Sequence, residues 1–307
     1  MDLTSTSTIR EIKDRYNFQL SKSLGQNFIT DRNVLEQIIQ GAGVSEGDLV
    51  IEIGPGIGVL TAEAAQIADK VIAIEIDKNL IPILKETLAE FDNVEVINQD
   101  VLKTDISAVI EKAKAEMEEA SGATFEGKVR VIGNLPYYIT TPIIMKLLEE
   151  GVPADSITVM MQKEVADRIR SGPGTKAYGA ISVAVQYYCD VERVANVPKE
   201  VFVPRPKVDS TVLTLLPLSN GEGAGSHQEA HGRVEVADEK TFFSCVKAAF
   251  AQRRKTLLNS LSSAGGMDKD KVRQVLVAAG IDPARRAETL TIEEFGNLAN
   301  VMAKERV

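Results

Sequence analysis

Five short apolar runs, each followed by a helical pattern, constrain this chain more than any other feature. They are "DLVIEIGPGIG", "KVIAIEID", "VEVINQD", "VRVIGN" and "SITVMMQ". The stretches between them, from "VLTAEAAQIA" and "NLIPILKETLAEF" to "TTPIIMKLLEE" and "KEVADRIR", carry apolar residues at helical spacing. The first, second and fourth of these runs read as buried strands and the other two as strands, and strand–helix alternation builds right-handed βαβ units into a mainly parallel sheet. The expected fold class is therefore α/β. Two later runs, "AISVAVQYYCDVERVANV" and "DSTVLTLLPL", read as antiparallel strands or sheet edges. Beyond the low-complexity "SNGEGAGSHQEAHGR" the pattern is helical only: "EKTFFSCVKAAFAQRRKTLLNSL", "DKDKVRQVLVAAG", "TIEEFGNLANVMAKE". The expected division is an α/β domain over 1–219, a linker loop over 220–237 and a small all-helical domain over 238–307.

Composition narrows the chemistry. Apolar residues make up 44%, enough for a sizeable core, and no apolar run nears the roughly 20 residues that span a bilayer. The polar N-terminus has no secretory core, which predicts a cytoplasmic protein without a membrane partner. Cys189 and Cys245 lie far apart in apolar surroundings and read as buried thiols. The two histidines, His227 and His231, share one Gly-rich loop and leave little basis for a histidine triad or a metal site. Net charge is −9, which taken alone argues against a phosphate-rich partner. Yet the stretch from Thr241 to Arg273 holds seven basic residues and two acidic ones, so one patch opposes the total.

Three successive strand ends supply the groups that hold an adenosine. Gly54, Gly56 and Gly58 stand at the first strand-to-helix turn, where glycine allows close backbone approach. Glu75 ends the second strand, 21 residues after Gly54, a distance that suits hydrogen bonds to ribose hydroxyls. Asp100 ends the third and can accept from an adenine amine. NAD and S-adenosylmethionine (SAM) both fit such a site. The G-x-G-x-G spacing departs from the G-x-G-x-x-G of dinucleotide sites, and Glu52 before the turn suits a cation such as a sulfonium.

The fourth strand decides between them, because it ends in "NLPYYITTPII". An exocyclic amine such as adenine N6 is a poor nucleophile until it pyramidalises, and two acceptors aimed at its N–H groups favour that geometry. Asn134 can supply its side-chain carbonyl. Leu135, held extended by the following proline, can supply its backbone carbonyl. Pro136 stiffens the turn, and Tyr137 offers a ring on which a flipped base can stack. Such a site works by positioning and electrostatics, with no metal.

In order, "SLGQNFITD", "VIEIGPGIGVLT", "VIAIEIDKNL", "NQDVL", "GNLPYYITTPII", "VMMQKEVADRI", "VFVPRPKVDSTV" and "FAQRRKTLLNSL" closely resemble the small-subunit ribosomal RNA adenine dimethyltransferases, the kasugamycin-sensitivity family. The resemblance runs from about Ile9 to Asn300. It implies a SAM-dependent methyltransferase Rossmann-like sheet with a small helical C-terminal domain. It also implies N6,N6-dimethylation of two adjacent adenosines in the 3′-terminal hairpin of 16S rRNA, within the 30S subunit or its precursor, as part of ribosome biogenesis. By the same resemblance Asn27, Ile29, Gly54, Glu75, Asp100 and Asn134 border SAM, while Asn134, Leu135, Pro136, Tyr137 and Phe202 serve the target base. A monomer is expected. The segments 105–128 and 219–238 look longer than the family usually has. The rival readings are a 23S rRNA adenine methyltransferase of the macrolide-resistance type and a non-catalytic RNA-binding assembly factor. Arg253, Arg254 and Lys255, read as the exposed side of a basic helix, are the expected grip on the RNA backbone.

Overall fold

All five apolar runs are strands of one sheet. In the computed structural model, which describes residues 1–18, 25–218, 233–264 and 267–305, they are β2 (Leu49–Ile53), β3 (Lys70–Glu75), β4 (Val94–Asn98), β5 (Val129–Asn134) and β6 (Ser156–Gln162). They pair in parallel in the order β4-β3-β2-β5-β6. Every residue of β2 is buried, as a central strand with helices on both faces requires. The next two strands, β7 (Cys189–Val197) and β9 (Ser210–Pro217), extend the sheet, but not in chain order. β9 pairs antiparallel with β6, Met160 opposite Val212, and β7 lies outside it at the edge. A separate ribbon joins β1 (Phe28–Ile29) to β8 (Phe202–Val203), with Ile29 opposite Phe202.

The connecting helices begin where the sequence offers a cap. Asp31 accepts from the Asn33 N–H at the start of α2 (Arg32–Ala42), and Asp105 accepts from the Ala108 N–H at the start of α5 (Ile106–Ser121). The long charged connection is thus mostly one helix, with Ile106, Ile110 and Ala113 buried. The other helices of this unit are α1 (Thr6–Arg15), α3 (Val59–Ala65), α4 (Ile81–Thr87) and α6 (Thr140–Glu149). Isoleucine, leucine and valine from α1, α2, α3 and α4 pack with β2 and β3 into one apolar core.

The chain separates into two compact units, one of Met1–Ala166 with Val191–Pro217, the other of Asp167–Asp190 with Leu218–Val307. This departs from the expected division, in which everything up to residue 219 formed the first domain. The division falls inside α7 (Lys163–Arg170), and the second unit claims α8 (Ala180–Tyr188). The expected strand over "AISVAVQYY" is a helix. Its residues from Ser182 to Val185, with Tyr187 and Tyr188, are all buried, so no polar stripe marks the helical period. The Ser182 hydroxyl accepts from the Gly179 N–H and closes the first turn. The strand begins only at Cys189.

The second unit is otherwise helical: α9 (Glu239–Phe250), α10 (Leu257–Ala264), α11 (Lys269–Ala278) and α12 (Ile292–Lys304). Asp238 caps α9, Asp268 caps α11, and Thr291 with Glu294 forms a reciprocal capping box on α12. Tyr187, Tyr188, Phe242 and Phe243 form an aromatic cluster, with the Arg233 guanidinium 4.7 Å over the Tyr188 ring. Cys189 and Cys245 are free, buried thiols. The linker expected over 220–237 lies outside the described residues as far as 232, and with it both histidines. Among the described residues no helix is long and apolar enough to cross a membrane.

Candidate active site

The carboxyl ends of β2, β3, β4 and β5 open onto one cleft of about 900 Å³, its mouth included. It lies at the strand ends where open α/β sheets take their ligands. Its floor is the glycine turn after β2. Gly54 and Gly56 both have positive φ, 72° and 61°, a conformation L side chains rarely adopt. The space a Gly54 side chain would take is open cleft, whereas a Cβ on Gly56 would stand 3.0 Å from the Phe28 ring. The first glycine therefore leaves room for a ligand, and the second lets the N-terminal segment close over the turn.

Glu75, at the end of β3, is buried and held by two backbone donors. The Gly56 N–H lies 3.3 Å from Oε2 and the Asp77 N–H 2.8 Å from Oε1. Burial still raises its carboxyl to about 7, against the pull of those donors. Glu52, inside β2, is only 1% exposed and borders the same cleft. Burial pushes it up to about 8. The Thr61 hydroxyl pulls it back in part and the Glu75 charge adds to the rise. Neither Glu52 Oε2 nor Thr61 Oγ1 meets a partner at hydrogen-bond geometry. Asp100, after β4, is half-buried, and its Oδ1 accepts from the Leu102 N–H at 3.0 Å.

At the end of β5, the Asn134 side-chain Nδ2 donates to the backbone carbonyl of Asn27 at 2.8 Å. Only the amide nitrogen can face a carbonyl oxygen, so this bond fixes which way the side chain points. Oδ1 is left as the acceptor. Leu135 is buried, and its N–H donates to the Met160 carbonyl at 3.2 Å. Its own carbonyl accepts no hydrogen bond among the described residues. Gly133 precedes the pair because nothing larger fits: a Cβ there would stand 2.7 Å from the Ile53 carbonyl oxygen.

Asn27, Ile29, Gly54, Glu75, Asp100 and Asn134, the six residues expected at the cofactor, all border this one cleft, as does Pro136. Tyr137 does not. Its hydroxyl hydrogen-bonds Ser210 on β9 at 2.8 Å, and burial raises its pKa. The next residue, Tyr138, borders the cleft instead and is 56% exposed. Phe202 is 3% exposed, packed in the core opposite Ile29, and offers no free face in this arrangement. In the other unit, Arg253, Arg254 and Lys255 are exposed as expected. They do not lie on a helix, however: α9 ends at Phe250 and α10 starts at Leu257, so the three cations sit on the turn between. The sequence reading missed Tyr138, Gln26 and Gln99 at the cleft. The doubled tyrosine was a visible signal for the first, and nothing local marks the two glutamines.

A model of the ribosomal RNA adenine dimethylase family matches residues 17–304. The chain belongs to this family. Its relatives include the "Ribosomal RNA small subunit methyltransferase A" of Clostridioides difficile (strain 630), 52% identical over 300 residues, which cover 98% of this chain and 96% of the relative. The protein of the same name from Alkaliphilus oremlandii (strain OhILAs) is 54% identical over 305 residues, 99% of each. Among solved structures, a dimethyladenosine transferase from Plasmodium falciparum aligns with a TM-score of 0.70 over 91% of this chain and 98% of its own; at 24% identity the likeness is one of fold. The 23S rRNA methyltransferase ErmE aligns with a TM-score of 0.61 at 25% identity, over 90% of this chain and 99% of its own. A dimethylase of this family is a SAM-dependent enzyme, and the cleft suits that molecule. It offers open room over Gly54, carboxylates at the ends of β3 and β4, and a buried carboxyl with an unpartnered oxygen for a cation.

Proposed function

We propose that this chain dimethylates, at N6, two adjacent adenosines in the 3′-terminal hairpin of small-subunit (16S) rRNA, using SAM, as a step of ribosome biogenesis. The observation that carries the reading is the Asn134 amide. The Asn27 carbonyl takes its nitrogen, which leaves Oδ1 as an acceptor on a residue that borders the cleft, and the neighbouring Leu135 carbonyl accepts no hydrogen bond among the described residues. SAM, when bound, supplies an electrophilic methyl group on its sulfonium. The chain's own residues do the rest. Gly54 gives close backbone approach, Glu75 accepts from the ribose, Asp100 takes the adenine amine, and Asn27 and Ile29 cover the site. Asn134 Oδ1 and the Leu135 carbonyl accept the two N–H groups of the target amine and turn its lone pair toward the methyl group. Pro136 keeps the two acceptors in register. Tyr137 and Phe202 stack the flipped base, a role that requires the Phe202 ring to leave its packed position. Arg253, Arg254 and Lys255 grip the rRNA backbone from their exposed turn. The partner is the 30S subunit or its precursor, which makes the cytoplasm the site of action, and the enzyme acts as a monomer without a metal.

Identity of about half with proteins named for the small subunit, over nearly all of both chains, favours this substrate over 23S rRNA. The test is to purify small subunits from a deletion strain, add the protein with SAM, and digest the rRNA for mass spectrometry. Paired dimethyladenosines near the 3′ end are expected. Methylation confined to large-subunit rRNA, or none with SAM bound, would overturn the reading.

A further inference from the structure

Glu52, Glu75 and Asp100 border the cleft, and among the described residues no lysine, arginine or histidine does, although Lys103 Nζ stands 3.8 Å from Asp100 Oδ2. Glu75 has two backbone donors and Asp100 has one. Glu52 has none for Oε2, although it is almost wholly buried. A buried acceptor without a donor is costly, and a buried unpaired carboxylate more so. Chains keep such a group where something outside the chain completes it. The groups packed around it leave little choice. From β3, Ala73 stands beside it in register and Glu75 ends the strand; from β5, Ile132 stands beside it and Asn134 ends the strand. From α3 comes the Thr61 hydroxyl, from the N-terminal segment Asn27, and across the cleft Asp100. Among the described residues named here the charged groups are carboxylates, which cannot stabilise a second negative charge, and the Thr61 hydroxyl offsets the cost of burial only in part. A cation entering the cleft would offset the rest.

Resting on the SAM reading of this cleft, we propose that Glu52 is a charge-selective residue: it gives up a proton when the cationic sulfonium donor binds and retains it when the neutral thioether product occupies the same cleft. The two ligands share their adenine, ribose, ammonium and carboxylate. They differ by one methyl group and one positive charge at sulfur. A carboxyl that ionises for one and not the other therefore converts that single charge into a difference in affinity. Spent cosubstrate leaves a neutral carboxyl behind and exchanges for fresh. The high pKa that burial imposes on Glu52, about 8, leaves it mostly protonated near neutrality, so the exchange is drawn on at working pH. Glu75 does not confuse the outcome, because both ligands present it with the same ribose.

Two calorimetric measurements on the full chain test this. Binding enthalpies of SAM and of S-adenosylhomocysteine are taken in buffers of different ionisation enthalpy, which counts protons released. SAM should release about half a proton more than the product at pH 7. Dissociation constants for both ligands are then followed from pH 6 to 8.5. Their ratio, in which the ligands' shared ammonium and Glu75 cancel, should shift in favour of SAM by about three- to tenfold as pH rises. In Glu52→Gln, which keeps the shape and loses the charge, the ratio should be flat. Equal proton release by the two ligands, or a ratio in the wild type that does not change with pH, overturns the proposal while leaving the cosubstrate reading intact. A Glu52→Gln protein that keeps the wild-type pH profile also overturns it. Failure of the wild type to bind either ligand overturns the cosubstrate reading and this proposal together.

Discussion

Gly133 offers a sharp test of how far catalysis depends on the position of one peptide. In Gly133→Ala the new methyl group would stand 2.7 Å from the Ile53 carbonyl oxygen and 3.0 Å from Leu135 Cδ2. The first neighbour is strand backbone and cannot swing away. Restoring an ordinary contact of about 3.4 Å requires β5 to move by roughly 0.7 Å just where it delivers Asn134 and Leu135. Overpacking of this kind costs about 1–3 kcal/mol, which should lower the melting temperature by a few degrees. The rate should suffer more. A displacement near 1 Å at the reacting centre can cost about 10²-fold, so a 10- to 10²-fold fall in single-turnover methylation is expected. SAM affinity should change several-fold at most, because Gly54, Glu75 and Asp100 lie on other strand ends. The assay is single-turnover transfer of labelled methyl groups to undermethylated 30S subunits, with calorimetric SAM binding beside it. A variant that turns over at the normal rate would refute the argument that backbone packing at β5 sets the acceptor geometry.

Four further outcomes follow from the same geometry. Asn134→Ala should lower the methylation rate by about 10²-fold or more while SAM binds nearly as before, read by single-turnover kinetics and calorimetry. Phe202→Ala should lose about 3–5 kcal/mol of stability from its buried position, and Phe202→Leu should restore folding but not target-base capture, read by thermal melting and by binding to a substrate hairpin. Replacing Arg253, Arg254 and Lys255 together by Ala should weaken 30S binding and reduce its log–log salt slope by about 0.7–0.9 per lost phosphate contact, with SAM binding unchanged. Glu52 and Glu75 have carboxyl groups raised by folding, to about 8 and about 7. The folded state thus holds protons that the unfolded state has released, and the ligand-free protein should melt at lower temperature as pH rises from about 5 to 8, an effect Glu52→Gln should blunt.

The parallel sheet and the residues that border the cleft were legible because both are written locally. Each strand is a contiguous apolar run, and each strand end carries its own group: Gly54, Glu75, Asp100, Asn134. What the sequence did not disclose depends on residues distant in the chain. Nothing near Asn134 says that the Asn27 carbonyl will turn its amide, across a separation of 107 residues. Phe202 reads as an available ring until its pairing opposite Ile29 buries it. "AISVAVQYY" reads as a strand because a helix buried on nearly every side shows no polar face, and its place in the second unit rests on partners such as Glu239, which accepts from Tyr187 and Tyr188. The basic turn was read as helix because its composition suits one. The break after Phe250 has no proline or glycine to announce it.

The strand order β6-β9-β7 has a consequence for the protein while it is being made. Synthesis runs from the N-terminus, and β6 is finished some fifty residues before β9 exists. During that interval the stretch from Ile157 to Met161, apolar but for Thr158, has β5 to pair with on one flank and no partner yet for the other. An unpaired apolar edge is a template for wrong partners. β7 emerges first, yet its final place is one strand further out, so it must leave a gap for a segment not yet translated. A nascent chain halted before Ser210 therefore holds every cofactor group and still exposes an adhesive flank, which makes the last strand of the sheet the step that renders this enzyme safe to release.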